Sequence, residues 1–255
     1  MLLSSQGIIL KVFPYSNTSV ICNVFTNHYG KLTFIAKGVR KPNNPLLSIL
    51  QPFNLLELQY YYKKDRNMQL IKEADILISF DNIRENFSSI VVGSHIINII
   101  NRIFEQDYPN ETIFRLIYKT LHRVSDQNDK NKLFFIFFIF HLLKQLGFMP
   151  NIHQCHICNK TFSDQAIFSY SLKSLMCSSC DANNPSEFNM HLDIQNLEFL
   201  NLFDKTNINK ISDLKISSKR LYEIYNFLIS FMRCHIKYMN NIKGIDSIEK
   251  IYYEH

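Results

Sequence analysis

The chain has 255 residues, 46% of them hydrophobic, and a formal net charge of +6. This is enough apolar material for one large or two small cored domains, and it excludes a chain that stays unfolded for want of a core. The charge is uneven: residues 1–80 hold nine Lys/Arg against four Asp/Glu and residues 81–255 nineteen against eighteen, so the excess sits in the first third and points to a polyanionic partner or, more blandly, to a soluble basic surface.

Met1-Leu2-Leu3-Ser4-Ser5 lacks the basic start and long apolar core of a secretory signal, so a cytoplasmic setting is expected. Residues 7–13 read as a strand, 14–18 as a turn and 19–26 as a second strand rich in Val, Ile and Phe. Asn27-His28-Tyr29-Gly30 is a tight turn, with Gly30 free to take positive φ. Residues 31–37 alternate as a third strand, 46–50 form a short apolar connector, and 53–62 and 68–74 give strands four and five. Five short strands in under eighty residues suit a small closed barrel of the OB type.

Between strand three and the connector lies Lys37-Gly38-Val39-Arg40-Lys41-Pro42-Asn43-Asn44-Pro45. Gly38 allows close backbone approach and Pro42 ends strand pairing, so Lys37, Arg40 and Lys41 are candidates to track a phosphate backbone. The other reading is a solvated loop whose cations keep a sheet edge soluble. Lys11, Lys31, Lys63, Lys64 and Arg66 are weaker candidates. In Tyr60-Tyr61-Tyr62, strand alternation buries about half the rings, leaving one or two at most for base stacking.

After Ala74 the period changes from two to about 3.6. A helix is expected over 83–104, with Ile83, Phe87, Ile90, Ser94, Ile97, Asn101 and Phe104 on one face and Val91, Ile96, Ile100 and Ile103 widening it, then a break at 107–110 and a helix over 112–124. Residues 130–146 form the most apolar helix, stopped by Gly147 and Pro150. Its core, Leu133 to Leu143, is far short of the twenty or so residues that span a bilayer, so no membrane partner is expected.

Cys155-His156-Ile157-Cys158 and Cys177-Ser178-Ser179-Cys180 follow, eighteen residues apart. Two Cys-x-x-Cys knuckles at this spacing suit four-thiolate coordination of one structural Zn2+ per chain, with Cys155, Cys158, Cys177 and Cys180 as ligands. A redox pair needs only one such motif, haem attachment needs His after the second Cys, and a zinc deaminase needs His-x-Glu, which occurs nowhere in the chain. His153 and His156 are read as solvent-facing residues of the first knuckle, and Cys22 and Cys234 as buried free thiols. Helices over 193–203 and 217–238 complete the chain, the second striped by Leu221, Ile224, Leu228, Phe231 and His235. The fold class is α+β: an OB barrel over 1–79, then a helical domain over 80–255 with the zinc module inserted at 150–183. The six glycines form neither Gly-x-Gly-x-x-Gly nor a Walker loop, and Gly-x-Ser-x-Gly and His-Glu-x-x-His are missing, which disfavours the common nucleotide-binding and hydrolytic routes.

The order of parts resembles the bacterial recombination mediator family RecO over essentially the whole chain. The resemblance rests on Ala36-Lys37-Gly38-Val39-Arg40-Lys41, Leu50-Gln51-Pro52, and Leu146-Gly147-Phe148-x-Pro150 before the first cysteine pair. It implies a non-enzymatic protein that binds single- and double-stranded DNA, anneals complementary strands and helps load RecA onto strands coated by single-strand-binding protein. It also implies RecR as partner, a contact between the helical domain and the tail of single-strand-binding protein, and a cytoplasmic, nucleoid-associated setting. Two positions depart from the family pattern: Asn159 stands where Gly often follows the second Cys, and Lys173-Ser174 where a glycine turn often precedes the second pair. Both bear on turn geometry more than on ligation. The residues alone also admit an RNA-binding protein built from the same parts, or an interaction scaffold in which the barrel is a charged bystander.

Overall fold

In the computed structural model, which describes residues 1–183 and 188–236, the first five strands close into a barrel. They are β1 (Leu2–Tyr15), β2 (Ser19–Thr26), β3 (Gly30–Ala36), β4 (Leu55–Tyr61) and β5 (Gln69–Ile78), with the single helical turn α1 (Leu46–Ile49) between β3 and β4. The order around the barrel is β1-β2-β3-β5-β4, with β4 pairing back to β1 and β3 parallel to β5. That is the five-stranded OB arrangement expected from the strand count. Alternation fills the interior: Ile9, Cys22, Val24, Phe34, Leu56, Leu58 and Tyr60 are fully buried in one cluster.

Strand lengths differ from the sequence expectation for a topological reason. β1 is twice as long as 7–13 because it serves two neighbours, its first half pairing β4 and its second half β2. β5 runs on to Ile78 because Leu55–Glu57 of β4 continue to pair it. β4 starts at Leu55 because Phe53, buried, takes φ 78° and turns the chain just before it. Gly30 has φ 67°, and a Cβ there would lie 2.0 Å from the Tyr108 carbonyl oxygen, so the β2–β3 turn needs glycine for conformation and for space.

The helix expected over 83–104 is two: α2 (Asp81–Glu85) and α3 (Phe87–Ile103). Asn86 between them is extended (φ −111°, ψ 126°), and its side chain accepts the Ser89 N–H as an N-cap. Phe87 and Ile90, expected on the apolar face, are 74% and 36% exposed in the first turn of the restarted helix, while Ile83, Ile97 and Phe104 of that face are buried as expected, together with Val92, Ile96, Ile99 and Ile100. α4 (Glu111–Asp126) is capped in the same way by Asn110. The end of α3 is tied to the barrel. Asn23 Nδ2 donates to Asn101 Oδ1 (3.0 Å), Gln106 Nε2 donates to Thr33 Oγ1 (2.8 Å), and Phe104 meets Phe25 edge-on at 5.2 Å. Barrel and helices α2–α4 thus lie in one compact unit, residues 1–131.

Residues 132–255 form the second unit. A 3₁₀ turn (Asn128–Lys130) leads into α5 (Asn131–Gln145), whose side chains from Leu133 to Phe140 are all buried. The chain then runs through β6 (Gln165–Ser169), β7 (Ser174–Met176), α6 (Ser178–Ala182), β8 (Met190–Asp193), α7 (Ile194–Lys205), α8 (Ile208–Ile211) and α9 (Ser218–His235). α5 packs on α7 through Phe137 and Phe140 against Phe203 (5.7 and 5.8 Å), and on α9 through Phe135 and Tyr225 (6.3 Å). Among these helices sits a small antiparallel sheet, β7-β6-β8. Its strands of three to five residues are too short to show a period in the sequence. The end of the last expected helix, Tyr238, and the rest of the expected helical domain past Ile236 lie outside the described residues.

Candidate metal centre and nucleic-acid interface

The first knuckle is a short two-stranded turn. Gln154 bridges Thr161, Cys155 N–H donates to Lys160 O (2.9 Å), and Asn159 N–H donates to Cys155 O (3.0 Å). Asn159 sits at φ 59°, the left-handed region that a glycine would take without strain and that Asn tolerates better than most residues. The second knuckle is the start of α6: Cys177 is its N-cap residue, and its carbonyl accepts both Cys180 N–H and Asp181 N–H at 3.0 Å. The β6–β7 hairpin joins the two knuckles, turning through Lys173 at φ 51°. His156 N–H donates to Leu175 O of β7 (2.9 Å), which locks the first knuckle to the hairpin. Phe168 of β6 packs against Phe227 and Phe231 of α9 (5.7 and 5.6 Å), fastening the module to a long helix.

This scaffold brings the four cysteine sulfurs within 4.8 Å of one another, with Cys158 Sγ and Cys177 Sγ 3.7 Å apart. Sulfurs about 2.3 Å from a tetrahedral metal stand about 3.8 Å apart, so the spacing suits one shared ion. Among the described residues no other group of three or more His, Cys, Asp or Glu side chains converges in this way, and His153 and His156 are exposed and outside the cluster. Burial raises the Cys155 thiol, but hydrogen bonds from the backbone of Cys158, Cys177 and Ile157 outweigh it and lower the pKa to about 6. Cys180 is pushed up to about 12, by desolvation, by hydrogen bonds with the other thiols and by the charge at Cys155. A first thiolate is thus favoured at Cys155, and its charge opposes a second at Cys180. Cys22, by contrast, is a fully buried thiol raised to about 12 by burial alone; Cys234, expected to be buried, is only half-buried at the end of α9, and that partial burial raises its thiol.

On the barrel, Lys37, Arg40 and Lys41 are all exposed, while Val39 between them is fully buried in the barrel core. Gly38 at φ 72° turns the chain so that one side chain plugs inward and three cations point out. Arg40 N–H donates to Thr18 O (2.9 Å) and Arg40 Nη1 to Ser16 O (3.2 Å), so the basic turn rests on the β1–β2 turn. Lys63, Lys64 and Arg66 are exposed on the β4–β5 loop. Buried Gln69 shapes that loop by accepting Lys63 N–H and donating to the carbonyls of Lys63 and Arg66 (2.9, 3.0 and 2.9 Å). Tyr62 at its start stacks on Tyr29 of the β2–β3 turn, centroids 6.0 Å apart, so the two basic clusters flank opposite ends of the β2–β3 pair. Lys11 is exposed on β1, its Nζ 4.6 Å from the centre of the Phe13 ring. Lys31 is placed differently. Its Nζ donates to Asn101 O (2.7 Å), and desolvation lowers its pKa against the pull of Glu105, so it is spent on holding α3 to the barrel. Of the three tyrosines, Tyr60 is fully buried, Tyr62 half-buried and Tyr61 44% exposed. The inward anchor Val39 and the loop organiser Gln69 were missed in the sequence, where an apolar residue in a cationic run and one glutamine carry no periodic signal.

Comparison with known proteins gives one family for both halves of the chain. The family model described as "Recombination protein O N terminal" matches residues 1–80, and "Recombination protein O C terminal" matches residues 84–240. The DNA repair protein RecO of Caldicellulosiruptor saccharolyticus is 26% identical, covering 92% of this chain and 92% of that protein. The RecO of Prosthecochloris aestuarii is 31% identical over 62% of this chain and 60% of that protein, and the RecO of Syntrophus aciditrophicus 24% identical over 97% and 96%.

Proposed function

We propose a function from one premise: the chain belongs to the recombination protein O family. Its role is in DNA repair and recombination, as a non-enzymatic mediator that binds single- and double-stranded DNA and anneals complementary strands. The barrel, residues 1–79, is the DNA-binding domain, and residues 80–255 form the domain that meets partner proteins. The observation that carries this reading is the basic turn, in which buried Val39 holds Lys37, Arg40 and Lys41 outward on an OB barrel. Lys11, Lys63, Lys64 and Arg66 extend the cationic surface. Annealing needs no catalytic side chain: neutralising the phosphates of two strands and holding them close reduces their repulsion and raises their local concentration.

The four cysteines hold one Zn2+, which staples the second unit. A four-sulfur site is coordinatively closed, so the ion shapes the chain and leaves no open position for a reacting water. RecR, the tail of single-strand-binding protein and, indirectly, RecA are the partners. The setting is cytoplasmic and associated with the nucleoid; among the described residues no helix is long and apolar enough to cross a membrane.

The deciding experiment follows annealing of complementary strands pre-coated with single-strand-binding protein, at low and moderate salt. Acceleration that fades with salt is expected. Changing Lys37, Arg40 and Lys41 together to Ala is expected to weaken DNA binding, and to reduce the slope of log affinity against log salt by up to about three, one for each lost phosphate contact. A folded, metal-loaded protein that gives no acceleration and prefers RNA would overturn the reading.

A further inference from the structure

The side of an OB barrel that ordinarily receives an oligonucleotide is the outer face of its second and third strands. Here the lower part of that face is closed. Asn23 and Thr33, paired across β2 and β3, are hydrogen-bonded to Asn101 and Gln106 at the end of α3 and beyond it. The next outward row of the ladder is apolar, half-buried at its centre and exposed toward its ends. Its members follow directly from the strand register: Phe13 pairs Ile21, Ile21 pairs Ile35, Ile35 pairs Leu70, Leu70 pairs Tyr61, and Tyr61 pairs Leu2. Six outward apolar side chains thus form a continuous belt across all five strands. Leu2 is 49% exposed, Tyr61 44% and Phe13 36%, with Ile21, Ile35 and Leu70 half-buried between them.

A belt of this kind on a domain that also carries the chain's excess positive charge calls for an occupant with both apolar faces and negative charge. Lysines stand two positions from four of these residues: Lys11 by Phe13 on β1, Lys72 by Leu70 on β5, Lys37 just past β3 by Ile35 and Lys63 just past β4 by Tyr61. All four are exposed, Lys72 in an ion pair with Glu73 (3.1 Å) and the other three with no acidic partner among the described residues. Two residues along a strand span roughly 7 Å, which matches the distance from a base to its own backbone phosphate. Lys11 already lies over the Phe13 ring. Phosphate on that lysine would bring a base to the ring beside it.

We propose that this belt is a base-stacking platform for single-stranded DNA, with the Phe13 and Tyr61 rings as its two anchors. The proposal rests on the DNA-binding reading above and adds the residues that distinguish a single strand from a duplex. A duplex hides its base faces and offers the lysines only phosphate, whereas an unpaired strand offers both. The platform therefore also has a consequence for annealing. Pairing withdraws the bases from Phe13 and Tyr61, and the product is left held by cations alone.

The test is fluorescence anisotropy with labelled oligo-dT, an abasic strand of equal length and a duplex of equal length. Phe13→Leu with Tyr61→Leu keeps the apolar bulk and removes both rings. It is expected to weaken oligo-dT binding by about tenfold or more, from loss of base–aromatic stacking. The abasic strand and the duplex should bind as to wild type, and Phe13→Tyr with Tyr61→Phe should restore the oligo-dT affinity. Equal binding of oligo-dT and abasic strand by wild type, or an unaffected Leu variant, overturns the platform while leaving the cationic reading intact. Wild type that binds none of the three overturns that underlying reading instead. A Leu variant that keeps all DNA affinity but loses a protein partner assigns the belt to a protein and also overturns the proposal. Should the Leu variant not fold, photo-crosslinking of wild type to a 5-iododeoxyuridine strand decides: adducts on the peptides holding Phe13 or Tyr61 support the platform, and adducts confined to other peptides overturn it.

Discussion

Asn159 and Lys173 both hold left-handed backbone, φ 59° and 51°, at the two turns where the sequence departs from a glycine pattern. Asn tolerates that conformation and Lys does not, so the strain sits at Lys173. Lys173→Gly is expected to raise the stability of the second unit by about 0.5–1 kcal/mol, the left-handed penalty less the added entropy of glycine, read as a higher melting temperature. Gly30→Ala is expected to act in the opposite direction and more strongly, by about 2 kcal/mol or more, because a Cβ would combine unfavourable φ with a collision on the Tyr108 carbonyl. Cys155 supplies a pH dependence with a definite sign. Its pKa is lowered from 9.0 to about 6, so between those values the native state holds fewer protons than the unfolded chain. The contribution of Cys155 is complete above pH 9.0 and is lost as pH falls through 6. The metal-free protein is therefore expected to melt at lower temperature as pH drops across this window, and Cys155→Ser to flatten the slope.

At the scale of elements, the basic turn depends on a residue with no charge. Val39→Ala leaves Lys37, Arg40 and Lys41 in place but removes part of the plug that orients them. The expected outcome is a stability loss of about 1–2 kcal/mol together with weaker DNA binding at unchanged net charge, seen by comparing denaturation with anisotropy. α5 sits at the other extreme, a helix with no solvated face over most of its length. Phe138 is fully buried there, and Phe138→Ala is expected to cost about 3–5 kcal/mol and to unfold the second unit under mild denaturant. The break at Asn86 shows why element boundaries mattered for reading α3: the cap makes Phe87 the first residue of a new helix and leaves it in solvent, while Ile97 and Phe104 of the expected face stay buried.

For the molecule as a whole, the chain folds as two compact units, 1–131 and 132–255, and the excess positive charge lies within the barrel part of the first, residues 1–80. The barrel unit holds the cationic surface, and the second unit holds the cysteine cluster. Removing the proposed Zn2+ from the full chain with a chelator is expected to raise amide hydrogen exchange in β6, β7 and α6 and the part of α9 packed on them, because the module would lose its cross-link. Strands β1–β5 should keep their protection. Uniform loss across both units would show that the metal supports the whole chain and not the second unit alone.

The sequence by itself determined a good deal here. Cysteine spacing pointed to the four-sulfur cluster, strand alternation pointed to a five-stranded barrel, and the apolar run from Leu133 identified a buried helix, because each is a local pattern repeated at a fixed period. Tertiary structure alone decided which candidates face outward and with whom. Lys31 turned from a phosphate candidate into a tether for Asn101, Val39 became the anchor of the basic turn, and Tyr61 emerged as the exposed ring of its trio. Phe13, Ile21, Ile35, Leu70, Tyr61 and Leu2 are scattered over seventy residues of sequence, and only closure of the barrel sets them in one row. Register between distant strands is fixed by how the sheet closes and by what each face buries, and a linear sequence does not state either.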